Sequence, residues 1–275
     1  IEVLEGLTVA SHRMSIFKGF LDNADSEGKV VSSAGGFTNT LRLKHRAPIV
    51  NLPKVGSPWG EEIRSCIVAP EGYTICGADV SSLESCTKRH YMWEYDPEYV
   101  TEMSKEGFDE HLDLAKHAGE VTQEQIDLYN QGKAPELKSV RNVFKPANYA
   151  GVYGVRELTL SRQTGMSVAR CKSLLDAYWE RNWAVNKIAK AQYIKTLSDG
   201  SKWLKNPVSG FYYSLRAEKD VFSTLNQGTG VFIFDSWVRF CRNKGVVFSL
   251  QYHDEHLSYV KIGKEERQKE LLQSA

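Results

Sequence analysis

The chain has 275 residues (31.1 kDa), of which 41% are hydrophobic, 25% charged and 11% aromatic, a composition that can bury a core and excludes a disordered or fibrous chain. No apolar run approaches the roughly 18 residues of a membrane span, and Ile1 to Glu5 lack the basic-then-apolar order of a signal peptide, which disfavours membrane insertion and secretion. The net charge of +1 hides segregation: residues 79–136 carry 5 basic against 14 acidic side chains, and residues 137–219 carry 15 against 5. A polyanion would bind the second block; two solvated helical faces that attract each other are the plainer alternative.

In chain order, Ser33 to Gly36 and Asn51 to Gly60 are punctuated as loops. Tyr73 to Val80 is a short apolar run containing an aspartate near its end, the pattern of a strand. From Val140 to Thr196 the periodicity is helical: Val168, Cys171, Leu174, Leu175 and Tyr178 recur at three and four, and Val185, Ile188 and Ala189 continue the pattern. The polar stretch Gly119 to Ser139 before it reads as an insertion or an extra helix. Asn206 to Gly210 is a further loop, Thr224 to Val238 an apolar helix, and Val246 to Tyr252 a second strand. H-D-E and the alternating Leu257, Tyr259 and Ile262 then complete a hairpin, and Lys264 to Leu272 is a charged helical pattern. The simplest arrangement is an α+β chain, an antiparallel sheet with a long helical insertion between its strands. Cys66, Cys76, Cys86, Cys171 and Cys241 are odd in number and never spaced C-x-x-C, which favours a reducing compartment over a disulfide framework or a zinc site.

The chemistry gathers at two places. Asp79 opens D-V-S-S-L-E after the first strand, and Asp254 and Glu255 sit at the hairpin tip in Q-Y-H-D-E-H. Carboxylates from two strand ends of one sheet would need a cation, and aspartates facing a triphosphate outline a two-metal Mg²⁺ site. Taken singly, each aspartate reads first as a residue that ends a strand or turns a hairpin. Arg141, Lys145, Tyr149 and Tyr153 lie at i, i+4, i+8 and i+12, two cations followed by two aromatics on one helical face. A helix that grips a triphosphate at one end and stacks on a base further along needs that order.

Together, D-V-S-S-L-E at 79–84, R-N-V-F-K-P-A-N-Y-A-G-V-Y-G at 141–154 and H-D-E at 253–255 resemble motifs A, B and C of family A DNA polymerases. That group includes bacterial DNA polymerase I and the replicative enzymes of many bacteriophages, and the bacteriophage replicative type is the suspected subgroup. N-L-P-K-V-G-S-P-W-G-E-E-I-R at 51–64, D-E-H at 109–111 and N-Q-G-T-G at 226–230 resemble further family segments in the same order. The resemblance implies a right-hand polymerase palm with a mostly helical fingers insertion. Residues 1–48 would be the end of the thumb, with a helix remnant at Ser11 to Leu21, and the thumb-palm connection. Residues 49–105 would be the first part of the palm, 106–205 the fingers, and 206–275 the second part of the palm, cut short at its C-terminus. The chain therefore reads as an excised palm and fingers, whose activity in isolation the sequence leaves open.

By the same resemblance, Asp79, Asp254 and the carbonyl of Val80 would hold two Mg²⁺ ions, with Mn²⁺ as a substitute, and Glu255 would support them. Arg141, Lys145 and His111 would contact the incoming nucleotide's phosphates, Lys145 also being the candidate proton donor to pyrophosphate. Tyr149 would pack beside the sugar, and Glu84 would cover its 2′ position and exclude ribose. Tyr153, Gly154, Gln227, His253 and Arg42 would contact template or primer. The implied activity is template-directed addition of deoxynucleotides to a primer 3′-hydroxyl with release of pyrophosphate. The implied partners are primer–template DNA, deoxynucleoside triphosphates and a candidate processivity factor, with no membrane, in the cytoplasm, or the host cytoplasm for a phage protein.

Single-subunit RNA polymerases share a similar palm, but Asn148 and Tyr149, and Glu255 after His253-Asp254, side with DNA synthesis. A noncatalytic nucleic-acid-binding module is the other alternative, with Trp179, Trp183, Tyr193 and Trp203 set among lysines. Cys86 stands where the family usually has arginine, Lys219 and Ser223 replace minor-groove residues, and Leu41 replaces the glycine of the T-G-R segment that ends in Arg42. Pro146 conflicts with a regular helix: either the helix starts near it, leaving Arg141 on an irregular turn, or the helix is kinked there.

Overall fold

The computed structural model describes residues 2–46, 48, 49, 52–252 and 254–275, with side chains from residue 6 onward. The chain forms two compact units, one made of residues 1–81 and 231–275, the other of residues 82–230.

The first unit opens with α1 (Glu2–Asn23), which contains the anticipated helix at Ser11 to Leu21. Strands β1 (Ala34–Phe37) and β2 (Leu43–His45) then pair antiparallel with an irregular register. Ser33 to Gly36 was expected as a loop on its glycines; pairing with β2 overrides that local signal. The tight connection uses Leu41 at φ 66, a left-handed conformation that favours glycine. After the loop that leads to α2 (Gly60–Ser65), β3 (Tyr73–Asp79) appears where the apolar run placed it.

In the second unit, Ser82 (φ 52) turns the chain into α3 (Leu83–Met92). Helix α4 (Pro97–Met103) is capped by Asp96 with proline in its first turn, and α5 (Glu110–His117) is capped by Asp109. The polar insertion contains α6 (Gln123–Asn130), closed by a reciprocal Thr122–Gln125 capping box. Next come α7 (Leu137–Val152), α8 (Glu157–Thr164), α9 (Val168–Arg181) and α10 (Trp183–Ala191). The predicted stripe of α9 is inside: Cys171, Leu174, Leu175 and Tyr178 are buried with Phe144 and Ala147 of α7, each large side chain contributing about 1.5–3 kcal/mol. Only Val168 of that stripe stays exposed.

The helical reading fails at its end. Ile194–Thr196 is strand β4, paired antiparallel with β5 (Lys202–Lys205), which pairs with β6 (Tyr212–Leu215). Cross-strand pairing and the β-branched Ile194 and Thr196 decide the local conformation. Helix α11 (Val221–Asn243) starts in this unit and ends in the first.

The first unit resumes with β7 (Leu250–Tyr252), β8 (Glu255–Lys261) and α12 (Glu265–Gln273). The sheet order is β3-β8-β7, all antiparallel, as expected. Two details differ from the sequence reading. Only the last three residues of Val246–Tyr252 form strand, because Val246 instead packs with Cys241 and Leu272. The alternating Leu257, Tyr259 and Ile262 do not mark the core face of β8; His256, Ser258 and Val260 are buried, while Tyr259 and Ile262 are exposed.

Pro146 lies within α7, so the helix does not start there and Arg141 is on regular helix. Proline gives no N–H to the carbonyl of Asn142 four residues earlier. Asn142 is exposed, so water can take that carbonyl, while the buried face through Phe144, Ala147, Asn148, Ala150 and Gly151 carries the helix past the break. Among the described residues no cysteine is in a disulfide, and no helix is long and apolar enough to cross a membrane.

Candidate functional site

In the first unit the β3–β8 register sets Asp79 opposite Glu255, and β7–β8 sets Tyr252 opposite Glu255, so Asp254 falls at the hairpin turn. The backbone N–H of Val80 donates to the carbonyl of Asp254 at 3.1 Å, tying the end of β3 to the turn. Partial burial pushes the Asp79 carboxyl above the ordinary range, and the charge of Asp254 adds to that. Glu255 is raised in the same way, by burial first and then by Asp79, against the opposing pull of Arg64. Three carboxyl groups thus crowd together with one arginine as counter-charge.

Among the described residues no three His, Cys, Asp or Glu side chains form a ready metal cage. Mg²⁺ does not require one: it is held by one or two carboxylates, backbone oxygens, waters and substrate phosphates. The hard-oxygen donors and mutual repulsion of Asp79, Asp254 and Glu255 fit a divalent cation. Behind them, buried His256 is stacked on Trp237 (centroids 4.8 Å) and edge-on to Phe248 (4.1 Å). Burial lowers its pKa to about 4, so it is neutral near neutral pH. His253 lies outside the described residues. Arg42 follows Leu41, its N–H donating to Thr38 Oγ1 at 3.1 Å.

The second unit holds the remaining candidates. On α7, Arg141 Nε donates to Asp109 Oδ2 at 2.5 Å. The other oxygen of Asp109 accepts from the backbone N–H groups of His111 (2.9 Å) and Leu112 (3.1 Å), so one carboxylate both caps α5 and orients the arginine. His111 is buried, its Nδ1 3.1 Å from Asn148 Nδ2, which also donates to the Glu110 carbonyl at 3.1 Å. Burial pushes the imidazole pKa below its usual value. Lys145 Nζ stands 5.9 Å from the centre of the Tyr149 ring, and Tyr149 is half exposed. The predicted face from Arg141 through Tyr149 therefore exists.

Tyr153, at the C-cap of α7, ends that face with a different task. Its hydroxyl donates to Glu84 Oε2 at 3.1 Å and accepts from Gln227 Nε2 at 2.9 Å. Asn226 Nδ2 donates to the Glu84 carbonyl at 2.9 Å, and Thr87 Oγ1 donates to Asn226 Oδ1 at 2.7 Å. Glu84, Tyr153 and Gln227, far apart in sequence, form one hydrogen-bonded group on α3, α7 and α11. Gly154 follows at φ 60, and a Cβ there would meet the Lys219 carbonyl at 3.2 Å.

Sequence reasoning missed Asp109 as the partner of Arg141, Asn148 and Asn226 as polar supports, and Lys88. The helix-capping position of Asp109 was a usable signal. Lys88, on α3, is fully buried, its Nζ 3.9 Å from Glu110 Oε2 and 5.6 Å from the centre of the Tyr178 ring. At the Cys86 position, Arg89 from one turn further along donates to Cys86 Sγ at 3.0 Å.

The fold is of the α+β kind found in polymerase domains. The family model "DNA polymerase family A" matches residues 3–205, and the chain belongs to that family. It is 27% identical over 252 residues to "DNA polymerase I, thermostable" of Thermus filiformis, an alignment covering 86% of this chain and 28% of the relative. It is 30% identical over 146 residues to DNA polymerase I of Helicobacter pylori, covering 52% and 14%. The fold resembles the POL domain of Pol1 from M. smegmatis, solved with DNA primer-template and dNTP, at TM-score 0.75 and 22% identity, over 97% of this chain and 48% of that one. The chain spans about a quarter of the length of its Thermus relatives.

Proposed function

We propose that the chain is the palm and fingers of a template-directed DNA polymerase that adds deoxynucleotides to a primer 3′-hydroxyl and releases pyrophosphate. The observation that carries this reading is the β3–β8 register, which crowds Asp79, Asp254 and Glu255 into a cation-seeking group in a chain of this family. The proposed division keeps residues 1–48 as thumb end and connection, 49–105 and 206–275 as palm, and 106–205 as fingers. The bacterial relatives support a polymerase of the DNA polymerase I kind; the bacteriophage subgroup remains a proposal resting on the motifs.

Asp79, Asp254 and the carbonyl of Val80 would hold two Mg²⁺ ions, or Mn²⁺ in their place, with Glu255 in support. When bound, the ions would supply acidity to the primer hydroxyl and charge neutralisation to the triphosphate and leaving pyrophosphate. Arg141 offers a fixed fork for phosphate oxygens and Lys145 a point charge with a transferable proton for the leaving group. His111, neutral and held by Asn148, is suited to donate a hydrogen bond to a phosphate oxygen. Tyr149 would flank the sugar. Glu84, held by Tyr153, would deny room to a 2′-hydroxyl, which favours DNA synthesis over RNA synthesis. Arg42, Tyr153, Gly154, Gln227 and His253 are the proposed template and primer contacts. Primer–template DNA and deoxynucleoside triphosphates are the proposed partners, with a processivity factor as a further candidate and the cytoplasm as the proposed location.

The test is Mg²⁺-dependent extension of a primed template by this chain and by the full-length product of its gene. Asp79→Ala and Asp254→Ala in the active form are each expected to reduce extension on the order of a thousandfold while duplex binding stays within a few-fold. Retained extension in either variant refutes the two-metal assignment, and equal use of ribonucleotides and deoxynucleotides refutes the DNA-specific one.

A further inference from the structure

The three-stranded sheet β4–β5–β6 has no part in the chemistry above, and its two faces differ sharply. Directly paired residues share a face, so Ile194, Leu204 and Tyr213 form one row, with Leu204 and Tyr213 buried. On the opposite face Lys195, Trp203 and Ser214 form a row. Lys205 and Tyr212 form the next, and Tyr193 is brought beside them because its carbonyl accepts from Lys205 N–H at 3.1 Å. Tyr193 is 60% exposed and Tyr212 45%; Trp203 is half-buried, its indole N–H held by Ser201 Oγ at 3.1 Å.

Charge is arranged to match. Residues 187–216 carry six Lys and Arg against a single acid, Asp199, and the three strands contain no acid. Lys202, on the core-facing side, is paired with Glu218 at 2.7 Å, whereas among the described residues neither Lys195 nor Lys205 is in an ion pair. Of the tryptophans in this region, Trp179 packs against the core, and Trp183 is partly exposed beneath Lys187, whose Nζ is 4.7 Å from its ring centre.

We propose that this outer face, Tyr193, Lys195, Trp203, Lys205 and Tyr212, binds single-stranded DNA, namely the unpaired portion of the template. Alternating aromatics and unneutralised lysines on a rigid, pleated surface supply the two things an unpaired strand needs, rings for base faces and cations for its backbone. Duplex DNA would engage the lysines but offers no free base face to the rings. A protein partner would have to be strongly acidic to match this charge. That the strand is a template rests on the polymerase reading; that the face binds single strands does not.

The test is fluorescence anisotropy of labelled oligo(dT) with the full chain, in EDTA and without nucleotides. Tyr193→Ser with Tyr212→Ser, both exposed positions, is expected to weaken binding about tenfold. Lys195→Gln with Lys205→Gln is expected to lower the slope of log affinity against log salt by about 1.4. Because the assay holds EDTA and no nucleotide, its result does not depend on the metal assignment, so failure of that assignment and failure of this proposal are distinguishable. Binding by both double variants within twofold of the parent, with an unchanged salt slope, overturns the proposal, whatever else the face holds.

Discussion

The two groups of candidate residues are prepared for their ligands in opposite ways. At the β3–β8 edge, burial first and then neighbouring carboxylates push Asp79 and Glu255 above the ordinary range, with Arg64 pulling Glu255 the other way. Along α7, the cation that would meet phosphate already has a protein partner, Arg141 on Asp109. The first arrangement stores repulsion that a cation relieves; the second holds its geometry in advance and must trade one anion for another. An acidic site can therefore be built by crowding, while a basic one in a flexible side chain needs an internal anchor.

After the thousandfold loss expected at the crowded carboxylates, breaking the anchored side directly gives the largest effect. Arg141→Ala should lower kcat/KM for the incoming nucleotide on the order of a hundredfold. Asp109→Asn keeps a side chain of equal capping strength but loses the charge that holds Arg141, and should raise KM more than it lowers kcat, measured by steady-state primer extension. If Asp109→Asn leaves both unchanged, the anchoring role is wrong.

Next in size is the packing that holds α7 in place. A Cβ on Gly151 would fall on the Tyr178 ring of α9, which is fully buried and has little room to retreat. Gly151→Ala should cost about 1–3 kcal/mol, seen as a lowered Tm, despite the higher helix propensity of alanine. The Glu84 group comes after it. Glu84→Ala should reduce discrimination against ribonucleotides roughly tenfold or more, and Tyr153→Phe, which only loosens Glu84, by a smaller factor. Both are read as the ratio of kcat/KM values for the two sugars.

The smallest effect separates structure from catalysis. Burial holds Lys88 below the usual lysine range, with Glu110 opposing the shift. Between that depressed value and the ordinary value of about 10.4 the unfolded chain binds more protons than the folded one, so stability contributed at this site rises with pH across that window. Lys88→Met should flatten the rise in urea midpoint as pH increases toward the ordinary lysine value of about 10.4. An identical pH dependence in parent and variant would show that Lys88 does not titrate differently on folding.

Much of this was legible in the sequence, for reasons that also mark the limit. Strand β3 and the β7–β8 hairpin were visible because each apolar run meets its carboxylate at a strand end. The α7 face was visible because its four-residue spacing survives Pro146. The Asp109–Arg141 pair was not, since 32 residues separate two side chains that only tertiary packing brings together. Strand β4 was lost because helical periodicity ran on into Ile194, and only cross-strand partners could stop it. The buried face of β8 was misjudged because the central strand hides polar His256 and Ser258 while leaving Tyr259 exposed; hydrophobicity alone points the other way.

The seven-residue match of β3 with β8 has a consequence for how this protein can change in length. Side chains alternate along a strand, so losing or gaining one residue inside β8 would turn Glu255 and its neighbours to the opposite side of the sheet relative to Asp79. The same change in the exposed Gly263 turn beyond Lys261 would leave the pairing intact. A change in length is thus expected to be tolerated where the hairpin has ended and to disrupt the acidic group between the turn and the last rung of the ladder.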